Sequence, residues 1–210
     1  MTAPELALRA ATPDLDATRM DVLRAAIRCF RQQAFNEVTL QGVAAAAGLE
    51  LRAVQALHPT LNDLVIVTVR AWNAERTGPL LPVAEQAGAV AFLRAMLTAN
   101  LADPALMRLL TAMVDLAATP GHPLAPALQR QWGQFHAHVQ RTLTHDVGIG
   151  RESPSMEPAD AAEQLIAIYE GLQLQSMLRP TMDVVASFDR AVTRFRDGWA
   201  HDETPHVWDI

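Results

Sequence analysis

The stretch TLQGVAAAAGLELRAVQALH, from Thr39 to His58, decides the fold. It predicts two short helices around a tight turn, because the hydroxyl of Thr39 can cap the first helix and Gly48 suits the left-handed residue that ends it. Apolar residues at helical spacing give each helix a side to bury: Val43, Ala44 and Ala47, then Val54 and Leu57. Two short helices joined by a tight turn with glycine are typical of the helix-turn-helix.

Composition favours a helical globular protein. Hydrophobic residues make up 50% of the chain and charged residues 19%, while glycine is sparse. No run reaches the roughly 18 apolar residues of a membrane-spanning helix, so we expect no membrane association. The N-terminus carries Glu5, Asp14 and Asp16 and does not resemble a signal peptide. With Cys29 as the single cysteine, an intrachain disulfide is excluded and a cytoplasmic location is expected.

The distribution of charge bears on nucleic-acid binding. Residues 1–70 carry seven arginines against seven acidic residues, and residues 71–210 carry ten against sixteen. Phosphate neutralisation supplies most non-specific affinity for DNA, so a DNA-binding region usually shows a basic excess. Either the arginines cluster on one face of the helix-turn-helix region while the acids point away, or this region has little affinity for DNA. The arginines concerned are Arg19, Arg24, Arg28, Arg31 and Arg52.

Apolar residues at helical spacing along the whole chain predict an all-α protein of about nine helices. We divide it into a mobile arm (1–14), a helix-turn-helix domain (15–62), a C-terminal helical domain (63–200) and a tail (201–210) that packs on the surface or frays. The eighth helix, from about Pro158 to Leu178, is apolar nearly all round, which indicates burial on several faces. The ninth is expected to be capped by Thr181.

The segment from Arg19 to Leu64 resembles the DNA-binding domain of the TetR family of bacterial regulators. The matching residues are Leu23, Ala25, Ala26, Phe30, Thr39, Val43-Ala44, Ala47-Gly48-Leu49, Val54 and Asp63-Leu64. The run Gly171 to Gln175 and the helices around it resemble the ligand-binding half of the same family. The resemblance implies a DNA-binding domain followed by a ligand-binding and dimerisation domain.

The recognition helix of this motif departs from the family pattern. Glu50 stands where family members usually have Ser or Thr, and Leu57 and Leu61 stand where they usually have His and Lys. Those polar side chains hold phosphates and fix the register on the duplex. Arg52 is the best candidate to read a base or a phosphate. The predicted DNA-binding residues are Thr39, Gln41, Arg52, Gln55 and His58.

The last two helices suggest how protomers assemble. The ninth helix spaces its apolar residues by alternating threes and fours, as a coiled-coil seam does. The two helices either close the core of the protomer or pair with their copies as a four-helix homodimer interface, which the resemblance implies. Candidate interface residues are Leu165, Ile168, Leu172, Val185, Phe188, Val192 and Phe195.

The resemblance implies an effector pocket between the fifth, sixth, seventh and eighth helices. Met and aromatic residues adapt to apolar ligands, and a few polar groups orient them. Candidate residues for a small apolar or amphipathic effector are Met96, Met107, Leu110, Met113, Trp132, Phe135, His136, Tyr169 and Gln173. Each of these side chains would equally suit an ordinary core. Glu170 and Asp115 could pair with a cationic ligand, or simply be solvated.

Metal binding and catalysis are not expected. His138 and His145 are two helical turns apart, which is too far for a chelate, and His136 points to another side. The sequence contains no glycine-rich phosphate loop, no nucleophile elbow and no metal-spaced His–Glu pair, so we predict no cofactor and no enzyme activity.

The predicted function is a homodimeric, ligand-responsive repressor that binds a double-stranded DNA operator. The alternative is a small-molecule or lipid-binding module of the same fold that has lost DNA binding.

Overall fold

The computed structural model describes residues 15–201, so the predicted arm (1–14) and all but the first residue of the tail lie outside the described residues. Over this range the chain is all-α, as predicted. The helices are α1 (Leu15–Gln32), α2 (Leu40–Ala47), α3 (Leu51–Leu57), α4 (Leu61–Thr77), α5 (Leu81–Ala102), α6 (Pro104–Ala118), α7 (Ala125–Gly148), α8 (Pro158–Leu178) and α9 (Val184–His201). Short 3-10 turns at Phe35–Glu37 and Gly78–Leu80 precede α2 and α5.

The helix-turn-helix forms as its sequence predicts. The side chain of Thr39 accepts a hydrogen bond of 3.0 Å from the backbone N–H of Gly42, which satisfies a donor of the first turn of α2. Gly48 ends α2 with φ 69° and ψ 28°, a left-handed conformation that glycine adopts without steric cost. Val43, Ala44 and Val54 are fully buried, so both short helices turn their apolar sides inward.

Helix α4 begins at a capping box. The Thr60 side chain accepts from the backbone N–H of Asp63 at 3.2 Å, and the Asp63 carboxylate accepts from the backbone N–H of Thr60 at 3.0 Å. From there the stretch Leu61–Ala102 contains an 18-residue window with a mean hydropathy of 1.3, long and apolar enough to cross a membrane by length and composition alone. In the structure this stretch forms α4, a 3-10 turn and α5, and it supplies buried residues such as Leu64 and Leu93 to the core.

Helix α5 is broken at Gly88, where φ is 88° and ψ is 179°. The carboxylate of Asp146, at the end of α7, accepts a hydrogen bond of 2.8 Å from the backbone N–H of Ala89. It therefore caps the second segment of α5 from another helix. Arg151 pairs with Asp146 and also donates to the backbone carbonyl of Gln86 at 3.0 Å.

Two apolar cores hold the helices together. The first joins α1 to α4 with α6 and the start of α7, and includes Phe30, Leu64, Trp72, Leu106 and Met113. The second joins α5, the later part of α7, α8 and α9, and includes Phe92, Leu143, Leu165 and Phe188. The core of the helix-turn-helix therefore extends beyond residue 62 into α4 and α6, because those helices cover its apolar side.

Asp103, at the corner between α5 and α6, ties the two halves together. Its carboxylate caps α6 by accepting from the backbone N–H of Leu106 at 3.3 Å. It also accepts from the indole N–H of Trp72 on α4 at 2.8 Å and from the guanidinium of Arg31 on α1 at 3.3 Å. Arg31 lies over the Trp72 ring, 5.1 Å from its centroid.

The start of α9 differs from the prediction. The expected cap, Thr181, lies three residues before the helix begins at Val184. Asp183 takes this role instead, because its carboxylate accepts a hydrogen bond of 2.9 Å from the backbone N–H of Ala186.

Candidate nucleic-acid interface and effector site

The outer side of the helix-turn-helix carries four of the five predicted DNA-binding side chains. Thr39, Gln41, Arg52 and Gln55 are all exposed. The hydroxyl oxygen of Thr39 accepts the hydrogen bond that caps α2. Arg52, in the first turn of α3, makes no hydrogen bond or ion pair with any residue in the described range 15–201, so its guanidinium faces solvent.

His58, the fifth predicted residue, is placed differently. It is partly buried at the end of α3, and its Nε2 atom is buried without a hydrogen-bond partner in the described part of the chain. Burial lowers the pKa of His58, nearby Asp63 opposes that shift, and Arg19 adds to it. The side chain therefore belongs to the junction between α3 and α4, with its Nε2 turned away from the outer surface.

The arginines of α1 are engaged within the protein. Arg19 pairs with Asp16 at 3.2 Å and Arg24 with Asp21 at 3.4 Å, each one helical turn apart. Arg28 donates to the backbone carbonyl of Ala46 at 2.7 Å, near the end of α2. Arg31 turns toward Asp103. The α1 arginines and Arg52 therefore do not form one unpaired basic face.

The departures from the family pattern between Glu50 and Leu61 have structural consequences. Leu57 and Leu61 are partly buried against the first core, so the residues that replace the family's polar side chains serve packing. Glu50 occupies the N-cap of α3 without a side-chain capping hydrogen bond, and its exposed carboxylate adds negative charge next to Arg52.

The nine predicted effector residues divide between the two cores. Met113, Leu110 and Trp132 pack with the first core. Met96, Phe135 and Tyr169 pack with the second, where the Phe135 and Tyr169 rings lie 5.8 Å apart. Gln173 is buried beside Tyr169, while Met107 and His136 are partly buried. Trp132 donates its indole N–H to Glu170 at 2.8 Å, so that carboxylate already has a partner.

A polar centre lies between α5 and α8. The amide of Asn100 donates to the hydroxyl of Tyr169 at 2.7 Å and also to the side-chain oxygen of Gln173. Gln173 in turn donates to the backbone carbonyl of Tyr169 at 3.0 Å. Burial raises the pKa of Tyr169, and the nearby Arg76 opposes that shift. Tyr169 therefore stays protonated at neutral pH.

Asn100, a member of this centre, and the nearby Arg76 are absent from the predicted site. Asn100 was detectable, because it continues the apolar stripe of Met96 and Leu97 at a spacing that turns it inward. Arg76 carried no such signal. It lies at the end of α4, and only the packing of α4 against the C-terminal helices brings it close to Tyr169.

A cleft of about 510 Å³ lies elsewhere, between the segment after α1 and helix α6. Its lining includes Phe30, Phe35, Asn36, Arg108 and Leu109. None of the nine predicted effector residues lines it. This cleft therefore does not coincide with the predicted pocket.

Of the predicted interface residues, four are buried within the protomer: Leu165, Leu172, Phe188 and Val192. Ile168 and Phe195 are partly buried against the second core, and Val185 is partly buried as well. The coiled-coil-like spacing of α9 thus describes a face that is buried or partly buried within its own protomer. The apolar surface that α8 leaves outside consists mainly of Leu174 and Leu178.

Known proteins share this arrangement of helices. The family model described as the C-terminal part of BetI-type transcriptional repressors matches residues 85–198. No curated protein matches the chain. A TetR transcription regulator from Haloarcula marismortui superposes with a TM-score of 0.73 at 16% identity, over 87% of this chain and 98% of that one.

Two regulators named FadR have the same fold. FadR from Bacillus subtilis, in complex with stearoyl-CoA, gives a TM-score of 0.70 at 11% identity, over 85% of this chain and 98% of that one. The fatty acid degradation regulator FadR from Bacillus halodurans gives 0.69 at 11% identity, over 85% and 97%. At such identities the likeness concerns the fold alone, whereas the family match covers more than half of the sequence. The chain therefore belongs to the TetR family of transcriptional regulators.

Proposed function

We propose that this protein is a ligand-responsive repressor that binds operator DNA as a homodimer. The observation that carries the proposal is the pairing of a well-formed helix-turn-helix, with Arg52 exposed on its second helix, to a C-terminal half that buries a polar centre. The first feature suits the major groove and the second suits a small ligand. TetR-family proteins are regulators and not enzymes, which agrees with the absence of a catalytic motif in the sequence.

Coupling between the two halves follows from the position of α4. Trp72 of this helix is buried in the first core, while Arg76, one turn later, lies close to Tyr169 of the second. A ligand that displaces the end of α4 would therefore move the helix-turn-helix that packs on its other end. In a dimer such a movement changes the separation of the recognition helices, which must be about 34–36 Å to bind one face of DNA.

The test is binding of the purified protein to the DNA upstream of its own gene across a salt series. Arginine–phosphate contacts release counterions, so a specific complex should weaken steeply as salt rises. An unrelated duplex of equal length and composition is the control. A folded protein that binds neither duplex at low salt would contradict the proposal.

One set of observations favours a second function, a ligand-binding module of the same fold without DNA binding. Arg19, Arg24 and Arg28 are engaged within the protein, and Glu50 places a negative charge at the start of α3. Stearoyl-CoA in FadR from Bacillus subtilis shows that this fold accommodates an acyl ligand in a relative. Ligand binding by a protein that fails the DNA test would support this second function.

A further inference from the structure

Arg76 is the least satisfied charged group in the described interior. Its Nε and Nη1 atoms are buried and have no hydrogen-bond partner among the described residues, while Nη2 donates to the side chain of Asn73. A guanidinium has five N–H donors and does not lose its charge in proteins. The side chain as a whole is partly buried, and burying the N–H donors of a cation without acceptors is unfavourable.

The acidic groups near Arg76 do not supply the missing acceptors. Asp103 acts on it electrostatically, but its carboxylate oxygens bind Trp72, Arg31 and the backbone of Leu106. Glu170, which lies near Tyr169, accepts from Trp132. Burial lowers the pKa of Arg76, whereas Tyr169 and Asp103 act in the opposite direction.

We propose that Arg76 binds the carboxylate of an amphipathic effector, with Tyr169 and Gln173 as neighbouring polar contacts and Phe135 and Met96 as apolar ones. This inference rests on the proposed function, because it names the chemical class of ligand for the same effector site. Charge-assisted hydrogen bonds to a carboxylate would satisfy the buried guanidinium, and arginine matches a carboxylate in shape as well as charge.

The surrounding groups favour an anion over a cation. The protonated hydroxyl of Tyr169 retains a donor, because burial raises the pKa of this residue. The rings of Phe135 and Tyr169 lie 5.8 Å apart, so an apolar body next to the carboxylate would contact aromatic surface. A cationic ligand would face Arg76 directly, and the carboxylate of Glu170 is hydrogen-bonded to Trp132.

The test is ligand-induced thermal stabilisation, which needs no DNA. The probes are decanoate and 4-phenylbutanoate, each compared with its uncharged primary amide. The variants are Arg76→Gln, which removes the charge, and Arg76→Lys, which keeps it. Arg94→Gln is the matched control, because Arg94 is an exposed arginine of α5 that pairs with Asp189 at 2.8 Å.

We expect at least one carboxylate to raise the Tm of the wild type more than its amide does. Arg76→Gln should weaken binding of that carboxylate by roughly 10-fold or more, since a charged hydrogen bond of about 1.5–3 kcal/mol is lost. Arg76→Lys should retain part of the response and Arg94→Gln all of it. Without ligand, Arg76→Gln should melt at the same temperature as the wild type or higher, because it removes a poorly satisfied buried charge.

Equal responses to carboxylates and amides, or a carboxylate response unchanged in Arg76→Gln, would overturn the inference. The DNA experiment separates this failure from failure of the proposed function. If the protein binds DNA but shows no Arg76-dependent carboxylate effect, the proposed regulatory function stands and the proposed anion site is wrong. An Arg76-dependent carboxylate effect without DNA binding supports the anion site and favours the ligand-binding module.

Discussion

At the scale of single residues, the clearest dependence of the fold on one side chain is at Gly88. A Cβ atom added there would lie 2.5 Å from Oδ2 of Asp146 and 2.8 Å from Cδ of Arg151. The backbone is also in the positive-φ region that other residues avoid. Glycine therefore lets Asp146 approach closely enough to cap the second segment of α5.

We expect Gly88→Ala to lower the free energy of unfolding by about 1–3 kcal/mol, because it combines backbone strain with the loss of a buried hydrogen bond. Urea denaturation measures this change. Gly133→Ala in α7 is the control, since a Cβ there would meet nothing within 4 Å. That variant should be stabilised by roughly 0.5–1 kcal/mol. Equal effects of the two substitutions would mean that the break at Gly88 is not needed.

His58 makes stability depend on pH. Its pKa is lowered in the folded protein, chiefly by burial, so the unfolded chain takes up a proton first as pH falls. The stability contribution is complete above the unfolded pKa of about 6.5 and is lost as pH falls below it. His138 acts in the same direction, because burial and Arg141 lower its pKa.

We therefore expect the urea concentration at the unfolding midpoint to decrease when the pH is lowered from 7.5 to 5.5. In His58→Gln this decrease should be smaller. His145→Gln, at an exposed position of α7, is the matched control and should leave it unchanged. A His58→Gln protein with the same pH dependence as the wild type would show that protonation of His58 does not cause the loss of stability.

At the scale of elements, the contacts of Asp103 decide how firmly α1, α4 and α6 are joined. The Arg31–Asp103 pair is partly solvated, with 55% of the arginine side chain exposed, and such pairs contribute about 0–1 kcal/mol. The hydrogen bond from Trp72 to the carboxylate is better shielded, and Asp103 also caps α6.

We expect Asp103→Ala to destabilise the protein by roughly 2–4 kcal/mol, because it removes both a charged hydrogen bond and a helix cap. Arg31→Gln should cost at most about 1 kcal/mol. Chemical denaturation of the two variants and of their double mutant measures both values and their coupling. If Arg31→Gln destabilised the protein more than Asp103→Ala, the ion pair would be the main contact that joins these helices.

The recognition helix α3 offers Arg52 as its basic side chain. If Arg52 contacts a guanine, Arg52→Ala should weaken operator binding by roughly 1–3 kcal/mol. If it contacts a phosphate, the loss should be similar on every sequence and the salt dependence should become shallower. Fluorescence anisotropy with the upstream duplex distinguishes these results. The control is Arg130→Ala, an exposed arginine of α7, and unchanged affinity in Arg52→Ala would remove Arg52 from the interface.

Most element boundaries were predictable because their signals are local. Thr39 and Gly48 act within one turn of the helix that they delimit. The break at Gly88 was not predictable, since Asp146 caps the N–H of Ala89 from 57 residues further along the chain. The same holds for Arg76, because its neighbour Tyr169 lies on α8, far along the chain. The cap of α9 was misplaced because Thr181 and Asp183 offer the same type of signal two residues apart.

At the scale of the whole molecule, the effector residues show the limit of periodicity. Spacing identifies residues such as Met96 and Met113 as inward-facing, and both are buried. It does not tell which core they join, because the direction of each apolar stripe depends on how α5 and α6 cross their neighbours. Met113 joins the core of the helix-turn-helix, and Met96 joins the core around Tyr169.

The same limit applies to assembly. Most apolar residues of α8 are used inside the protomer, which leaves Leu174 and Leu178 with 51% and 79% of their surface exposed. The exposed Ala167 precedes Leu174 by two helical turns, so these residues share one side of α8. This side also carries the exposed Glu170, and we propose that it faces a second protomer in the homodimer.

Leu174→Glu tests that assignment. The side chain is half exposed, so the change should alter the stability of an isolated protomer by only about 0.5 kcal/mol. In a dimer that pairs this side of α8, it would bury two unpaired carboxylates, so we expect dissociation to monomers in sedimentation experiments. Ile149→Glu, at a residue 54% exposed between α7 and α8, is the control and should leave the mass unchanged.

Loss of the dimer should also remove tight operator binding, because one protomer presents a single recognition helix to a two-fold site. The residual affinity would be that of one half-site, with a correspondingly smaller salt dependence. A Leu174→Glu protein that stays dimeric and binds DNA as the wild type does would place the interface on another surface. A monomer that keeps full affinity would instead show that this protein does not need two recognition helices.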